Sequence, residues 1–442
     1  MSEVRVLLVM RAQAELREFA VLANAPQKIK IRHAPETLPD YVTVDKTFAP
    51  VPLGRIGHTP RLALSTTARS PEFVIRATVP RSEIASLTRQ EGVEVYSDPK
   101  IAPFSTCPGD PAVGSAKDVA KAIDVAKLAD MGCEGSKVAI AIMDTGINLA
   151  HLKKVGAKVS FDSSVSWSPS GVSGKPGKHP VHHGTMCAYD ALIAAPKATL
   201  LDFPILLSTT SGASGMDGFL SDALQAYSYL MMTMRSSDWK YSALVVNNSW
   251  GMYHESWDFP KGHSGRYADN PNHPFNIIVG TLARAGADIL FAAGNCGSPC
   301  PDARCEGVTK NTIMGANAHP DVITVAGATV KKRRVGYSSQ GPAIPGMKHS
   351  KPDLTAYTHF AGSQAFGADE PDSGTSAACP VAAGCVAAIR SRVAPSKIGA
   401  GDLSRELRSD ATQPTGPTGW NKNYGYGIIN AVGTAMRLLP SA

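Results

Sequence analysis

Two textures of apolar and polar positions follow one another along the chain. From Lys137 onward, short runs that are almost continuously apolar ("KVAIAIM", "ATLLDF", "ALVVN", "ADILFAA", "DVITVAG") alternate with stretches that suit helices, "HGTMCAYDALIAA", "GFLSDALQAYSYLMMTM" and "FNIIVGTLARAG". Continuous apolar runs are strands buried on both faces. Their alternation with helices predicts an α/β fold, a doubly wound, mostly parallel sheet in three layers. Before this region the pattern differs. "VRVLLVM", "EFVIRATV" and "GVEVYSD" read as strands, "RSEIASLTRQ" as a compact helix, and "PETLPD" and "APVPLGR" as connectors. They predict a smaller N-terminal α+β domain, a ferredoxin-like sheet with helices on one face. The stretch "DPKIAPFSTCPGDPAVGSA" is rich in Pro, Gly and Ser and reads as a linker, which divides the chain into residues 1–104 and 105–442.

In parallel sheets, reactive groups gather at the carboxyl ends of the strands. "KVAIAIM" ends in "DTG", which puts Asp144 at such an edge, with Gly146 for the turn. "ADILFAA" ends in "GN", which puts Asn295 there too. His183 in "HHGT" stands near a helix start, and Ser376 opens the helical run "SAACPVAAGCVAAI". Pro380 in that run is tolerable only in or close to the first turn. Singly, these residues read as a turn or cap Asp, a loop His and an N-cap Ser. Together they form the set that acyl transfer needs: a hydroxyl nucleophile, an imidazole base, an orienting carboxylate and an oxyanion donor.

The ordered blocks "AIMDTGI", "HHGTMCA", "VNNSWG", "FAAGN" and "DSGTSAACPVAAG" resemble the signature blocks of the subtilisin-like serine proteases, the subtilases. The order Asp, His, Ser separates that family from other triad hydrolases. The resemblance implies a serine endopeptidase in which Ser376 is the nucleophile, His183 its base and Asp144 the orienting carboxylate. The Asn295 side chain and the Ser376 N–H would bind the oxyanion. His182 is the rival to His183, but the family's His directly precedes Gly-Thr. "NNSWG", with Asn247, resembles the segment that pairs with an extended polypeptide substrate; Ser249, Trp250 and Gly251 would line the first specificity pocket, and Gly294 belongs to the same substrate-binding set. Ser373 and Thr375 are expected to shape the turn and cap the helix. Met186 and Ala377 depart from the family's usual residues, so subsite preference does not carry over. "EFVIRATVPRSEIASLTRQEGVEVYSDPKI" resembles the second half of a subtilase prosegment. That implies the chain's own N-terminal domain as intramolecular inhibitor, with residues after Tyr96 reaching the cleft and autoprocessing between Pro99 and Ser115. An independent binding module is the alternative for this domain.

Charge adds little, since 44 Lys+Arg against 37 Asp+Glu give a net +7 spread along 442 residues. No nucleic-acid partner is implied. The basic run "VKKRRVG" reads as a solvated loop. Glu3 stands where a signal peptide wants positive charge and no run is long enough to span a bilayer, so no membrane partner and a cytoplasmic location are expected, with secretion left open. Five of the eight cysteines (107, 133, 187, 379 and 385) read as buried thiols. For Cys296, Cys300 and Cys305, reduced structural thiols are the first reading, ahead of a local disulfide and a metal site. No cofactor is required by the chemistry. Subtilases often carry structural calcium, but no loop here has its ligand spacing. An esterase would use the same parts, yet the G-x-S-x-G elbow is absent. A silent or locked scaffold on the same fold is the remaining alternative, although no member of the catalytic set is missing.

Overall fold

The structure is a computed structural model and describes residues 2–11, 38–53, 72–104, 110–207 and 216–439. Seven parallel strands form the central sheet: β7 (Val138–Met143), β8 (Ser160–Phe161), β9 (Thr199–Phe203), β11 (Ala243–Asn248), β13 (Asp288–Ala292), β14 (Ile323–Ala328) and β15 (Leu354–Tyr357). Their order is β15-β14-β13-β11-β7-β9-β8. The chain leaves β7 toward one edge and then returns across it to β11, so the order reverses at β7. A crevice opens at the carboxyl ends where strand order reverses. Every residue of β7 and β11 is buried, which is why their runs are apolar without alternation.

Helices cover both faces, each with its own core. On one side the helices His183–Ala194 and Thr375–Arg390 pack together and against the sheet, and on the other lie Leu220–Thr233 and Pro274–Arg284. Gly384 is needed where the first pair cross, because a Cβ there would come within 2.2 Å of the Ala191 carbonyl. The α/β three-layer expectation holds.

The N-terminal strands β1 (Glu3–Arg11), β2 (Thr43–Val44), β3 (Val51–Leu53), β4 (Glu72–Pro80) and β5 (Val93–Ser97) form an antiparallel sheet in the order β2-β4-β1-β5, with β3 also on β4. One helix, Ile84–Thr88, lies among its described residues. Val6, Leu8 and Leu87 share a core with Phe259, whereas Leu7, Val9 and Val74 share one with Leu220, Leu224 and Phe275 of the larger part. Burial on both faces accounts for the unbroken apolar run "VRVLLVM".

The expected linker is not all linker. Lys100–Pro103 form a strand, β6, seated between β10 (Gly218–Phe219) and β12 (Trp250–Gly251), antiparallel to both. Its prolines hide it in the sequence, since a proline cannot donate to a ladder. Pro380 also departs from expectation. It is the sixth residue of the helix Thr375–Arg390, beyond the first turn.

Candidate active site

Asp144 follows β7, and Gly146, at φ 86°, turns the chain back beneath the start of the helix His183–Ala194. Two side-chain bonds hold these loops together: Gly184 N–H donates to Thr145 Oγ1 (2.8 Å) and Asn148 N–H to Thr185 Oγ1 (3.1 Å). His183 Nδ1 lies 2.8 and 2.9 Å from the two Asp144 carboxylate oxygens. The carboxylate therefore fixes the proton on Nδ1 and leaves Nε2 as an acceptor. Asp144 is fully buried, and His183 Nε2 is a buried atom without a hydrogen-bond partner. His182 faces elsewhere, edge-on to Phe366 at 5.3 Å, with its pKa lowered by burial and then by His183. Beneath the pair, Asp202 accepts the N–H groups of Ile147 and Gly177, and burial lifts its carboxyl to about 7.

Gly374, at φ 79°, caps the helix Thr375–Arg390, and no side chain supplies a cap bond. Thr375 is the first residue of that helix, and its hydroxyl is engaged with the loop after β13. The Thr375 N–H and hydroxyl both donate to Asn295 Oδ1 (2.9 and 3.0 Å), and Gly294 N–H donates to Thr375 Oγ1 (3.0 Å). With Oδ1 so held, the Asn295 amide presents Nδ2 as its donor. Asn295 thus sits at the N-terminal end of the Ser376 helix, where the helix dipole is positive.

Ser249 links this helix to the cleft strand. Its hydroxyl accepts Asn247 Nδ2–H and donates to the Ser376 carbonyl, each at 3.0 Å. Its own carbonyl receives the Phe104 N–H (3.3 Å). Trp250 pairs with Pro103 and Gly251 with Ala102 through their backbones. The Trp250 indole, however, is buried against Phe275 and Phe291, so it does not line the pocket as expected. Asn247 is equally buried and acts through Ser249. Gly251 and Gly294 both border the Phe104 ring, since a Cβ on them would lie 2.6 and 3.4 Å from Phe104 Cζ.

The Ser376 hydroxyl lies 3.1 Å from the Phe104 carbonyl and 3.0 Å from the Ser249 carbonyl. It is turned to these oxygens, not to His183. Phe104 and His183 line the same cavity, and Ser376 reaches it through the Phe104 carbonyl. The sequence reading missed Phe104. For Phe104 the signal was present, because "KIAPF" continues the apolar texture of the preceding strand.

A family model described as the subtilase family matches residues 135–427. This chain belongs to the subtilase family. It is similar to two curated proteins named calcium-dependent protease, from Trichormus variabilis and from a Nostoc species. Identity is 25% over 346 and 344 residues respectively, covering 70% of this chain and 47% of each relative. The subtilase thus spans about half the length of the relatives it matches.

Calcium is part of those relatives' names. Among the described residues, the close group of three His, Cys, Asp or Glu side chains is Asp144, His183 and Cys187. Imidazole and thiol do not suit a cation that takes six to eight oxygens. Cys187, one turn beyond His183, has its thiol 3.6 Å from Asp144 Oδ2, and burial followed by the Asp144 charge pushes its pKa well up. It is protonated, as are the other buried thiols, Cys133, Cys379 and Cys385, whose pKa values burial also raises. Cys107 lies outside the described residues. The three cysteines after Asn295 are not reduced. Cys296 and Cys305 form a disulfide and Cys300 is disulfide-bonded as well. The chain returns on itself there, with Asp302 N–H donating to the Asn295 carbonyl (2.9 Å), which brings residues nine apart in sequence to a Cα separation of 5.7 Å. Among the described residues no helix is long and apolar enough to cross a membrane.

Proposed function

We propose that this subtilase is a serine endopeptidase acting through an acyl-enzyme, and that its own N-terminal domain is an intramolecular inhibitor held in the cleft. Ser376 attacks the peptide carbonyl after its hydroxyl turns to His183 Nε2, the buried acceptor that has no partner in the present arrangement. His183 takes the proton and returns it to the leaving amine, while Asp144 keeps the imidazole in its tautomer. Asn295 Nδ2 and the Ser376 N–H stabilise the oxyanion. Domain boundaries near 104 follow from the same reading: residues 1–104 inhibit and residues 105–442 catalyse. The substrate is polypeptide in extended form, recognised by strand addition between β10 and β12.

One observation carries the proposal, namely that a peptide carbonyl of the chain itself lies 3.1 Å from Ser376 Oγ, beside the Asp144–His183 pair. The expected consequence is self-cleavage between Phe104 and Ser105. Fluorophosphonate labelling of the purified full chain, run beside N-terminal sequencing, tests it. Ser376→Ala should abolish both label and cleavage, at a cost to turnover on the order of a millionfold. A folded chain that neither labels nor cleaves would favour a locked scaffold.

A further inference from the structure

We infer that Asp190 and Asp372 share one proton and so clamp together the two arms that carry His183 and Ser376; both are positioning residues for the reaction, joined only while that proton is held. The inference rests on the peptidase reading above and adds how its base and nucleophile are kept in register.

The clamp follows from where the two residues stand. Asp190 lies seven residues after His183 in the helix His183–Ala194, so it falls two turns further along the same face. Asp372 lies four residues before Ser376, and its backbone is paired with Phe360. Gly374, between them, is pinned on both sides: its N–H donates to the Tyr337 hydroxyl (3.1 Å) and its carbonyl accepts from Thr358 Oγ1 (2.6 Å). A contact between the two carboxyls therefore joins the helix of the base to the turn of the nucleophile.

Asp190 and Asp372 are both buried, and their side chains are hydrogen-bonded to each other. Two ionised carboxylates in contact away from water repel too strongly to persist, so a proton lies between them. Their surroundings decide which one carries it. Asp372 is built to be the anion. Ser363 N–H donates to its Oδ2 and Ser363 Oγ to its Oδ1, each at 2.5 Å, and a Cβ on Gly362 would come within 2.2 Å of Oδ2. The Asp190 oxygens meet no N–H or O–H donor among the described residues. Asp190 is thus the acid and Asp372 its acceptor. Burial followed by the Asp372 charge pushes the Asp190 pKa well up, whereas burial, offset by the Ser363 bonds, leaves Asp372 at about 6.

The groups facing the pair leave the proton there. On the same helix Cys187 and Tyr189 are pushed up by burial first and then by nearby carboxylates, and His183 is paired with Asp144. His151, from the helix Leu149–Lys154, holds the Ser363 carbonyl through Nε2 (2.7 Å) and adds its charge on the Asp372 side; His359 turns its ring to Tyr337. Lys153 and Lys154 of that helix are exposed, as are Lys117, Asp118 and Lys121 of the helix Ala116–Ile123. The helix Thr375–Arg390 brings one charge, Arg390, which is bound to Asp288, and two thiols, Cys379 and Cys385, that burial keeps protonated. Because the Asp190 pKa is raised in the folded chain, the clamp is closed below the pH at which Asp190 gives up its proton and is lost as pH rises through it. The carboxylates then repel, and the base and nucleophile part.

The test uses the full chain after self-cleavage, with hydrolysis of labelled casein followed across pH. In the wild type kcat should fall at alkaline pH. Asp190→Ala, which removes the acid, should lower kcat at least about tenfold at neutral pH with little change in KM. Asp190→Asn should rescue it to within about threefold of the wild type, because the amide N–H donates to Asp372 in place of the acid. Its alkaline fall should vanish, since an amide has no proton to lose there. Asp372→Asn should not rescue, for its NH2 would meet the Ser363 donors. Infrared spectra read the proton directly: at about pH 8, where an ordinary carboxyl is ionised, the wild type should show a protonated carboxyl band that Asp190→Asn lacks. This readout decides even where Asp190→Ala does not fold. No difference in the band, an unchanged alkaline fall in Asp190→Asn, or a stoichiometric metal ion that is lost in Asp190→Asn overturns the inference and leaves the peptidase reading standing. No hydrolysis and no self-cleavage at any pH overturns the peptidase reading, and this inference with it.

Discussion

Release of the N-terminal domain should be driven by acid, through His273. This residue caps the helix Pro274–Arg284, its Nδ1 accepting the Phe275 N–H (3.3 Å), so the ring proton sits on Nε2 and is donated to the Ser97 carbonyl of the N-terminal domain (2.9 Å). Tyr96 and Tyr267 enclose the ring edge-on at 5.4 and 5.1 Å. A second proton has nowhere to go without breaking the cap, and burial holds the pKa down at about 3 against an ordinary 6.5. When residues 96 and 97 leave, the ring loses an acceptor and one wall, and its pKa returns toward the ordinary value. The group is thus neutral while the domain is docked. Its contribution to docking is present above about pH 6.5 and is lost as pH falls toward 3. At pH 5 the released form gains roughly 30-fold over pH 8, or about 2 kcal/mol. Two other groups face this contact. Asp258 has its pKa raised, chiefly by burial, and works in the opposite direction; His263 is lowered by burial and works in the same direction, being more open to solvent. His273→Gln isolates the term. With the chain cleaved behind Phe104, gel filtration between pH 8 and pH 5 should show the residue 1–104 fragment separating far more readily at the acid end, and much less so in the variant. Equal pH dependence in the two proteins would refute the reasoning.

Three further outcomes are expected. Asn295→Ala should lower kcat by about 100- to 1000-fold with little change in KM, the loss measured in subtilisin when its oxyanion-hole asparagine is removed, and steady-state kinetics would expose a smaller role. Arg390→Met should cost about 3–5 kcal/mol in urea unfolding, because it strands the fully buried Asp288, whose two oxygens now take the guanidinium at 2.5 and 2.8 Å. Cys305→Ser should loosen the loop after Asn295 and cost about 2–3 kcal/mol in urea unfolding, because it removes the Cys296–Cys305 cross-link, and an unchanged unfolding midpoint would count against that role.

Much of this architecture was legible because buried parallel strands leave an unmistakable apolar texture. "KVAIAIM", "ATLLDF" and "DVITVAG" each fell where a strand is found. Elements of two residues, such as β8, β10 and β12, are too short to carry a period at all. β6 was illegible for a different reason. Pro99 precedes it and Pro103 ends it, and only the pairing partners, Gly218 and Phe219 on one side and Trp250 and Gly251 on the other, decide that the segment is extended. The cysteines after Asn295 failed in the same way, since their pairing depends on the return of the chain at Asp302, which spacing alone does not encode. Asp144 and Asn295 were legible because a strand-end position is read directly from where an apolar run stops, and His183 and Ser376 because each stands where a helical run begins.

Pro380 shows how a local misfit and the site explain one another. In the sixth position of its helix it has no N–H to give to the carbonyl four residues back, which is that of Ser376. That oxygen is instead satisfied from outside the helix, by Ser249 Oγ at 3.0 Å and Cys187 Sγ at 3.5 Å. A proline that costs the helix one internal bond therefore gives the residue bearing the hydroxyl two external ties, one to the strand that receives peptide and one to the helix that begins with His183. Replacing Pro380 by Ala would let the helix close its own bond and leave the Ser249 hydroxyl, buried and already accepting from Asn247, to find another acceptor. The relative position of Ser376 and His183 is in this way fixed by an imperfection in the helix, which a regular helix at the same place would remove.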